Sequence, residues 1–259
     1  MGKLLVQLLL AAVPVIAVLI AAAFVLPPDF PWLPRQLLLA AIGIGGIALA
    51  QIAMFPTSPN NLMAQLGFTL PSLRAVLVCL AASLPMWLFL PAASVVTGTP
   101  LHVAPNWALI ILGVILVNGL AEEVIHRAFF FGRLRERTSF AAAASLAALL
   151  FGAQHLYLTA TLGVAGGLAS VALALLLAYP LCRAFEMGGR SIAGPAILHT
   201  SSNAAFLVFG DATNSSLLLV HMLVVLISIY AVFLAPRPIF SSDNARTSPR
   251  PLMKGAAAP

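Results

Sequence analysis

The sequence predicts an all-α fold, a polytopic bundle of membrane-spanning helices. Of its 259 residues, 61% are hydrophobic and only 8% are charged, and the mean hydropathy is +1.05. The apolar residues come in repeated runs of about 20, the length that a helix needs to cross the hydrocarbon core of a bilayer. The segments between the runs are short, so no soluble domain of useful size fits between them.

Eight apolar runs are separated by segments that contain Pro, Gly, Asn, Asp or Arg, which interrupt or end membrane helices. We therefore predict eight transmembrane helices, with the N-terminus and the C-terminus both on the cytoplasmic side. The predicted spans are 4–26, 36–55, 75–98, 107–131, 140–158, 162–182, 191–209 and 216–235.

The basic residues favour this topology, because Lys and Arg concentrate in the cytoplasmic loops of membrane proteins. With eight spans, only Arg35 falls on the far side, and Arg127 falls within a span. An odd number of spans would scatter the basic residues over both faces. Their position beside membrane segments also argues against nucleic acid as a partner, despite the formal net charge of +6. The cytoplasmic side receives the other eleven of the 13 basic residues: Lys3, Arg74, Arg133, Arg135, Arg137, Arg183, Arg190, Arg237, Arg246, Arg250 and Lys254.

Composition and the placement of polar motifs divide the chain into four parts. Residues 1–105 hold the first three helices and a cytoplasmic interfacial loop, and residues 106–209 hold the helices with the polar motifs. Residues 210–235 form the last transmembrane helix, and the tail 236–259 has the composition of a disordered segment. The preference for Arg over Lys and the many Ala residues indicate a GC-rich bacterium, so we predict a multi-pass protein of the bacterial cytoplasmic membrane.

Charged side chains interrupt the apolar run of the fourth predicted helix. Each charge at the bilayer centre costs about 2.5–3.5 kcal/mol, so Glu122, Glu123 and Arg127 require partners. Glu123 and Arg127, four residues apart, share a helix face and can form an ion pair. Glu122 is turned by about 100° from Glu123 in an α-helix and is free for another role, and His126 could hydrogen-bond it. These groups could also serve only to hold the helices together, since buried ions occur as structural pairs.

Two later helices carry residue pairs at the same four-residue spacing, one of an aromatic residue with a histidine and one of a histidine with an amide. Phe151 and His155 lie near the end of the fifth predicted span, and His199 and Asn203 lie in the seventh. A single His on an apolar helix is more often a satisfied core residue than a catalytic one. Three helices with inward-facing polar groups, however, can converge only around a polar cavity. The sequence therefore predicts a shared site that contains Glu122, His155, His199 and Asn203.

A carboxylate, two imidazoles and an amide in a desolvated pocket can hydrolyse an amide bond. Glu122 could take a proton from a water molecule that His155 also holds. His199 and Asn203 could donate hydrogen bonds to the oxyanion that forms when the carbonyl becomes tetrahedral. The usual signatures of serine hydrolases are absent, so direct attack by water is favoured over a nucleophilic side chain.

The same residues leave a metal-dependent alternative open. Glu122, His155 and His199 could supply three ligands to Zn²⁺ and leave a fourth position free. The HExxH spacing of many zinc peptidases is missing, and Arg127 and Asn203 suit a carboxylate and an oxyanion better than a cation. We therefore favour catalysis without a metal or another cofactor.

Together, three motifs on separate helices resemble those of the CPBP (CAAX protease and bacteriocin-processing) intramembrane proteases, which include the type II CAAX prenyl endopeptidases. The motifs are Glu122-Glu123-x-x-x-Arg127, Phe151-x-x-x-His155 and His199-x-x-x-Asn203, within a matching region of residues 106–209. The resemblance implies a catalytic transmembrane core that hydrolyses peptide bonds inside the membrane. It implies Glu122 as the base, His155 sharing the water, His199 and Asn203 as oxyanion donors, and Glu123 and Arg127 as supporting residues.

More than one function is consistent with these residues. The favoured interpretation is an endopeptidase in the lipid bilayer whose partner is a membrane-associated protein or peptide substrate. A non-catalytic relative, acting as a membrane scaffold or an immunity protein, would need the polar cluster only for stability. A proton-coupled carrier could use Glu122 and Glu123 as relay groups, although the sequence has no convincing internal repeat.

Overall fold

The computed structural model describes residues 1–27, 29–55, 57–209 and 215–236. All regular secondary structure in these ranges is helical, which confirms the all-α prediction. The predicted tail lies, apart from Pro236, outside the described residues. The α-helices are α1 Gly2–Val25, α2 Trp32–Met54, α3 Pro59–Gln65, α4 Leu73–Thr97, α5 Trp107–Val114, α6 Gly132–Arg135, α7 Phe140–Gln154, α8 Leu158–Met187, α9 Ala193–Phe209 and α10 Ser215–Tyr230.

Five helical stretches in the described ranges are long and apolar enough to cross a membrane, which supports an integral membrane protein. All eight predicted runs are helical, and their ends agree with the observed helices to within five residues. The number of crossings and the cytoplasmic placement of both termini remain predictions. The five stretches are Gly2–Val25, Trp32–Met54, Leu73–Thr97, Trp107–Arg135 and Phe140–Met187.

The 48-residue stretch Phe140–Met187 is a hairpin rather than one straight helix. A short 3-10 turn, His155–Tyr157, follows α7, and Gly163 then adopts φ 74° and ψ 170°, far from helical values. α7 and α8 pack along each other, and the hydroxyl groups of Ser145 and Tyr179 hydrogen-bond between them. The chain therefore reverses direction after α7, and the two helices are antiparallel.

The helix with the charged motif, Trp107–Arg135, lies at the centre of the bundle, and we call it the motif helix. It begins with α5 and ends with α6, and every residue from Ala121 to Gly132 is buried. A Cβ atom on Gly43 of α2 would lie 3.0 Å from Ala121, and one on Gly119 would lie 2.6 Å from the Thr200 hydroxyl of α9. Small residues thus allow α2 and α9 to approach the motif helix closely, as is common between membrane helices.

The segment between α3 and α4 is bound to the loop between α8 and α9. The backbone N–H of Ile192 donates to the Gly67 carbonyl at 3.0 Å, and the Ser191 hydroxyl donates to the Thr69 carbonyl at 2.8 Å. Gly67 has φ +81°, a left-handed conformation that costs a residue with a Cβ atom about 1–2 kcal/mol. These bonds hold the predicted interfacial loop against the bundle.

Replacing Gly67 by Ala is expected to lower the melting temperature of the purified protein in detergent more than the same change at Gly98. A Cβ atom at Gly67 would lie 2.6 Å from Cγ2 of Ile192, so overpacking adds about 1–3 kcal/mol to the conformational cost. Gly98 is the matched control, because it has φ +68° and no neighbouring atom within 4 Å of the same position. Equal melting temperatures for the two variants would contradict the close contact between Gly67 and Ile192.

Candidate active site

The motif helix is π-helical at the charged residues, over Ile115–Glu122 and Val124–Phe131. A π-helix bonds i to i+5 and turns less per residue than the 100° or so of an α-helix, and such segments occur often at functional sites. Glu122 and Glu123 therefore diverge less than the α-helical spacing predicts. Both carboxylates face the same residue of α9, His199.

His199 lies between the two carboxylates. Its Nδ1 is 2.7 Å from Oε1 of Glu123, and its Nε2 is 3.8 Å from Oε2 of Glu122. Because a carboxylate only accepts hydrogen bonds, Nδ1 carries the hydrogen and donates it to Glu123. The Nε2 atom accepts a hydrogen bond when the ring is neutral and donates one when the ring is an imidazolium.

Glu123 also forms the predicted ion pair with Arg127. Nε of Arg127 lies 3.2 Å from Oε2 of Glu123, and both side chains are almost completely buried. The guanidinium also lies over the Phe151 ring, 4.4 Å from its centroid, in a favourable cation–π contact. Glu123 is thus bound from two sides, which suits a supporting role.

Glu122 has a different environment from Glu123. The Asn118 amide, one turn earlier on the motif helix, donates to Oε1 of Glu122 at 3.2 Å. Oε2 is buried and has no hydrogen-bond partner among the described residues. The side chain is 10% exposed, whereas that of Glu123 is fully buried. Oε2 of Glu123 also makes no hydrogen bond in the described part of the chain, but it lies 3.2 Å from Arg127, whereas the ion-pair contact of Oε2 of Glu122, with His199, is 3.8 Å long. Glu122 is therefore the more weakly paired of the two carboxylates.

His155 follows directly after α7, on the 3-10 turn. Because α7 has only 15 residues, it is about 22 Å long, shorter than the roughly 30 Å hydrocarbon core. Nδ1 of His155 donates to the Phe151 carbonyl at 2.8 Å, so Nε2 carries a lone pair in the neutral ring. The ring lies edge-on to Phe151, with centroids 4.7 Å apart.

Phe151 connects the predicted site residues. Its ring also packs edge-on against His199, with centroids 5.6 Å apart. The structure thus places His155 and His199 against one aromatic ring, and His199 is the histidine that contacts the two carboxylates. Asn203 lies one turn after His199 on α9 and is partly exposed.

Two residues of this cluster, Asn118 and Gln154, were missed by the sequence analysis. The four-residue spacing from Asn118 to Glu122 is a signal that could have identified the first. The expectation that His126 bonds Glu122 is wrong, because its Nε2 lies 2.6 Å from Oε1 of Gln154. That pair joins residues 28 positions apart, so no local spacing indicates it.

The alternative zinc site of Glu122, His155 and His199 does not fit this arrangement. Among the described residues, no three His, Cys, Asp or Glu side chains are placed to hold a metal ion. The neighbouring Arg127 guanidinium also adds a positive charge that disfavours a cation. Catalysis without a metal remains a prediction.

Fold and site together define an all-α integral membrane protein with a buried acid–histidine cluster. Over residues 104–205 the chain matches the family model described as Type II CAAX prenyl endopeptidase Rce1-like. The match confirms the resemblance to the CAAX protease family, and the matched segment contains all three motifs. No curated protein and no solved structure matches the chain. Because the family is one of proteases, the match supports a hydrolase with a protein substrate in the membrane.

Proposed function

We propose that the chain is an intramembrane endopeptidase that hydrolyses a peptide bond of a membrane-associated protein or peptide. The observation that carries the proposal is the inequality of the two carboxylates. Glu123 lies 3.2 Å from Arg127 and 2.7 Å from His199, whereas Oε2 of Glu122 makes no hydrogen bond among the described residues and its ion-pair contact, with His199, is 3.8 Å long. A structural ion pair needs only a carboxylate like Glu123. A carboxylate like Glu122 is suited to accept a proton from water.

In the proposed reaction, Glu122 removes one proton from a water molecule, and Nε2 of His155 accepts a hydrogen bond from the same water. The water oxygen bonds to the carbonyl carbon, and the carbonyl π electrons move to its oxygen to form an oxyanion. The C–N bond then breaks, and Glu122 returns its proton to the leaving nitrogen. The products are a carboxylic acid and an amine.

The proposed oxyanion donors are Nε2 of His199 and the amide of Asn203. Because Nδ1 of His199 is bound to Glu123, Nε2 can donate only from the imidazolium form. Preorganised donors of this kind contribute about 10²–10³ each to the rate.

The test compares cells that express the wild-type protein with cells that express the Glu122→Gln variant. We expect new protein or peptide termini in the membrane fraction with the wild type and none with the variant at equal expression. The purified proteins in liposomes are then tested with a prenylated CAAX peptide and with the same peptide without the prenyl group. These peptides probe the substrate class that the family name suggests.

The outcomes of this test separate the proposal from its alternatives. Identical termini in both cultures would contradict the endopeptidase and favour a membrane scaffold or immunity protein. Proton-gradient-driven uptake in the same liposomes would favour a carrier. The proposed location is the bacterial cytoplasmic membrane, and fractionation of the native host checks it.

Chelators are expected to leave the cleavage activity of the purified protein within about twofold of its untreated value, because the proposed mechanism uses a carboxylate base and no Lewis acid. Activity after treatment with EDTA or 1,10-phenanthroline, together with elemental analysis, measures this. Stoichiometric zinc, with activity lost to the chelator and restored by Zn²⁺, would contradict the metal-free mechanism.

A further inference from the structure

His126 and Gln154 form a buried hydrogen bond that the proposed reaction does not use. Nε2 of His126 lies 2.6 Å from Oε1 of Gln154, His126 is fully buried, and Gln154 is 9% exposed. Since the amide oxygen accepts, Nε2 of His126 is the donor. The bond connects the motif helix to the last residue of α7.

The same histidine also contacts the residue that orients His155. The His126 ring packs against the edge of Phe151, with centroids 4.8 Å apart. The Phe151 carbonyl accepts the hydrogen bond from Nδ1 of His155. His126 therefore holds α7 at two points, the side chain of Gln154 and the ring of Phe151, and His155 follows directly after them.

His155 needs such a connection because of its position in the fold. It lies on a three-residue 3-10 turn, whose hydrogen bonds are weaker than those of an α-helix, and it is only partly buried. The helix breaks again at Gly163, so only a short helical segment follows the turn directly. The fully buried stretch around His126 contacts α7 directly before this turn.

We propose that His126 and Gln154 are positioning residues, which fix the depth and orientation of the His155 ring relative to the Glu122 carboxylate. The inference rests on the proposed function, in which Nε2 of His155 holds the attacking water. A shift of about 1 Å in such a group can lower the rate about a hundredfold, while the affinity for the substrate need not change.

Four variants of the full-length protein in nanodiscs test this proposal. Gln154→Leu removes the acceptor, and His126→Phe removes the donor but keeps an aromatic ring against Phe151. Gln154→Glu keeps an acceptor oxygen at the same reach and serves as the conservative variant. Gln36→Leu is the matched control, because Gln36 is 8% exposed and lies on α2, outside the site.

The first measurement does not depend on proteolytic activity. Diethyl pyrocarbonate modifies accessible histidines, and mass spectrometry gives the rate at each one. We expect the His155 rate to change several-fold in Gln154→Leu and His126→Phe, and to stay near wild type in Gln154→Glu and Gln36→Leu. The buried His221 of α10 is the internal reference for general loosening of the bundle. An unchanged His155 rate, or one that changes only in step with His221, would overturn the proposal.

The second measurement uses the kinetics of cleavage of the substrate peptide. We expect kcat to fall about tenfold to a hundredfold in Gln154→Leu and His126→Phe, with KM within twofold of wild type. The double variant should be no slower than the slower single variant, because both changes remove the same hydrogen bond between His126 and Gln154. If Gln154→Leu and His126→Phe lowered kcat only as much as Gln36→Leu does, the positioning role would be overturned. If the wild type cleaves nothing, the proposed function fails, whereas the modification rates still decide the positioning.

Discussion

Replacement of Arg127 by Met is expected to lower the free energy of unfolding by about 3–5 kcal/mol, because it leaves the buried Glu123 carboxylate without its ion-pair partner. Both side chains are at most 1% exposed, so water cannot replace the lost interaction. The change also removes the guanidinium from the face of the Phe151 ring. Thermal or denaturant unfolding of the purified protein in detergent measures the loss.

The matched control is Arg190→Met at the exposed pair with Glu136. That pair is closer, with 2.9 Å between Nη2 and Oε1, but the side chains are 50% and 43% exposed. Exposed ion pairs contribute about 0–1 kcal/mol, so we expect little change in stability. Combining Arg127→Met with Glu123→Gln should restore part of the loss, since no unpaired charge then remains. If Arg127→Met and Arg190→Met lowered the free energy of unfolding equally, the buried ion pair would not have the stabilising role proposed for it.

The positions of the helices could be predicted from sequence because hydropathy reports them directly. A run of apolar residues between Pro, Gly and charged residues specifies a helix whatever its neighbours are. The hairpin formed by α7 and α8 was separated into two spans on the same basis, and the described structure has its turn at that place. The side on which each loop lies depends on the membrane, so it remains a prediction.

The π-helical backbone of the motif helix could not be predicted in this way. No spacing of residues from Ile115 to Phe131 distinguishes a π-helix from an α-helix, and the segment packs against α2, α7 and α9. This backbone directs Glu122 and Glu123 towards one histidine, whereas α-helical spacing predicted that they diverge. Local spacing was sufficient for the pair of Glu123 and Arg127, because those residues are adjacent on either type of helix.

Polar pairs between distant segments were the part of the site that sequence could not supply. His126 and Gln154 lie on different helices, and each alone resembles an isolated polar residue in an apolar run. The hydrogen on Nδ1 of His199 likewise follows from its contact with Glu123, which only the folded structure provides. Sequence thus predicted which helices carry polar groups, and the structure adds which atoms face each other.

The two adjacent carboxylates are expected to respond to substitution in different ways. Glu122→Gln should reduce kcat by at least about 10²–10⁴, the usual contribution of a general base, because the amide cannot take a proton from water. The amide oxygen can still accept the hydrogen bond from Asn118. We therefore expect the free energy of unfolding to lie within about 1 kcal/mol of the wild-type value. Single-turnover cleavage and thermal unfolding of the same preparation measure both quantities.

Glu123→Gln is the matched neighbour of that variant. It leaves the buried Arg127 guanidinium without a counter-charge, so we expect a loss of stability of about 3–5 kcal/mol, unlike Glu122→Gln. Comparing the two variants therefore separates a reacting carboxylate from a structural one on the same turn of helix. If Glu122→Gln were as unstable as Glu123→Gln, or if it cleaved substrate at the wild-type rate, Glu122 could not be the base. The cluster would then act only to hold the helices together.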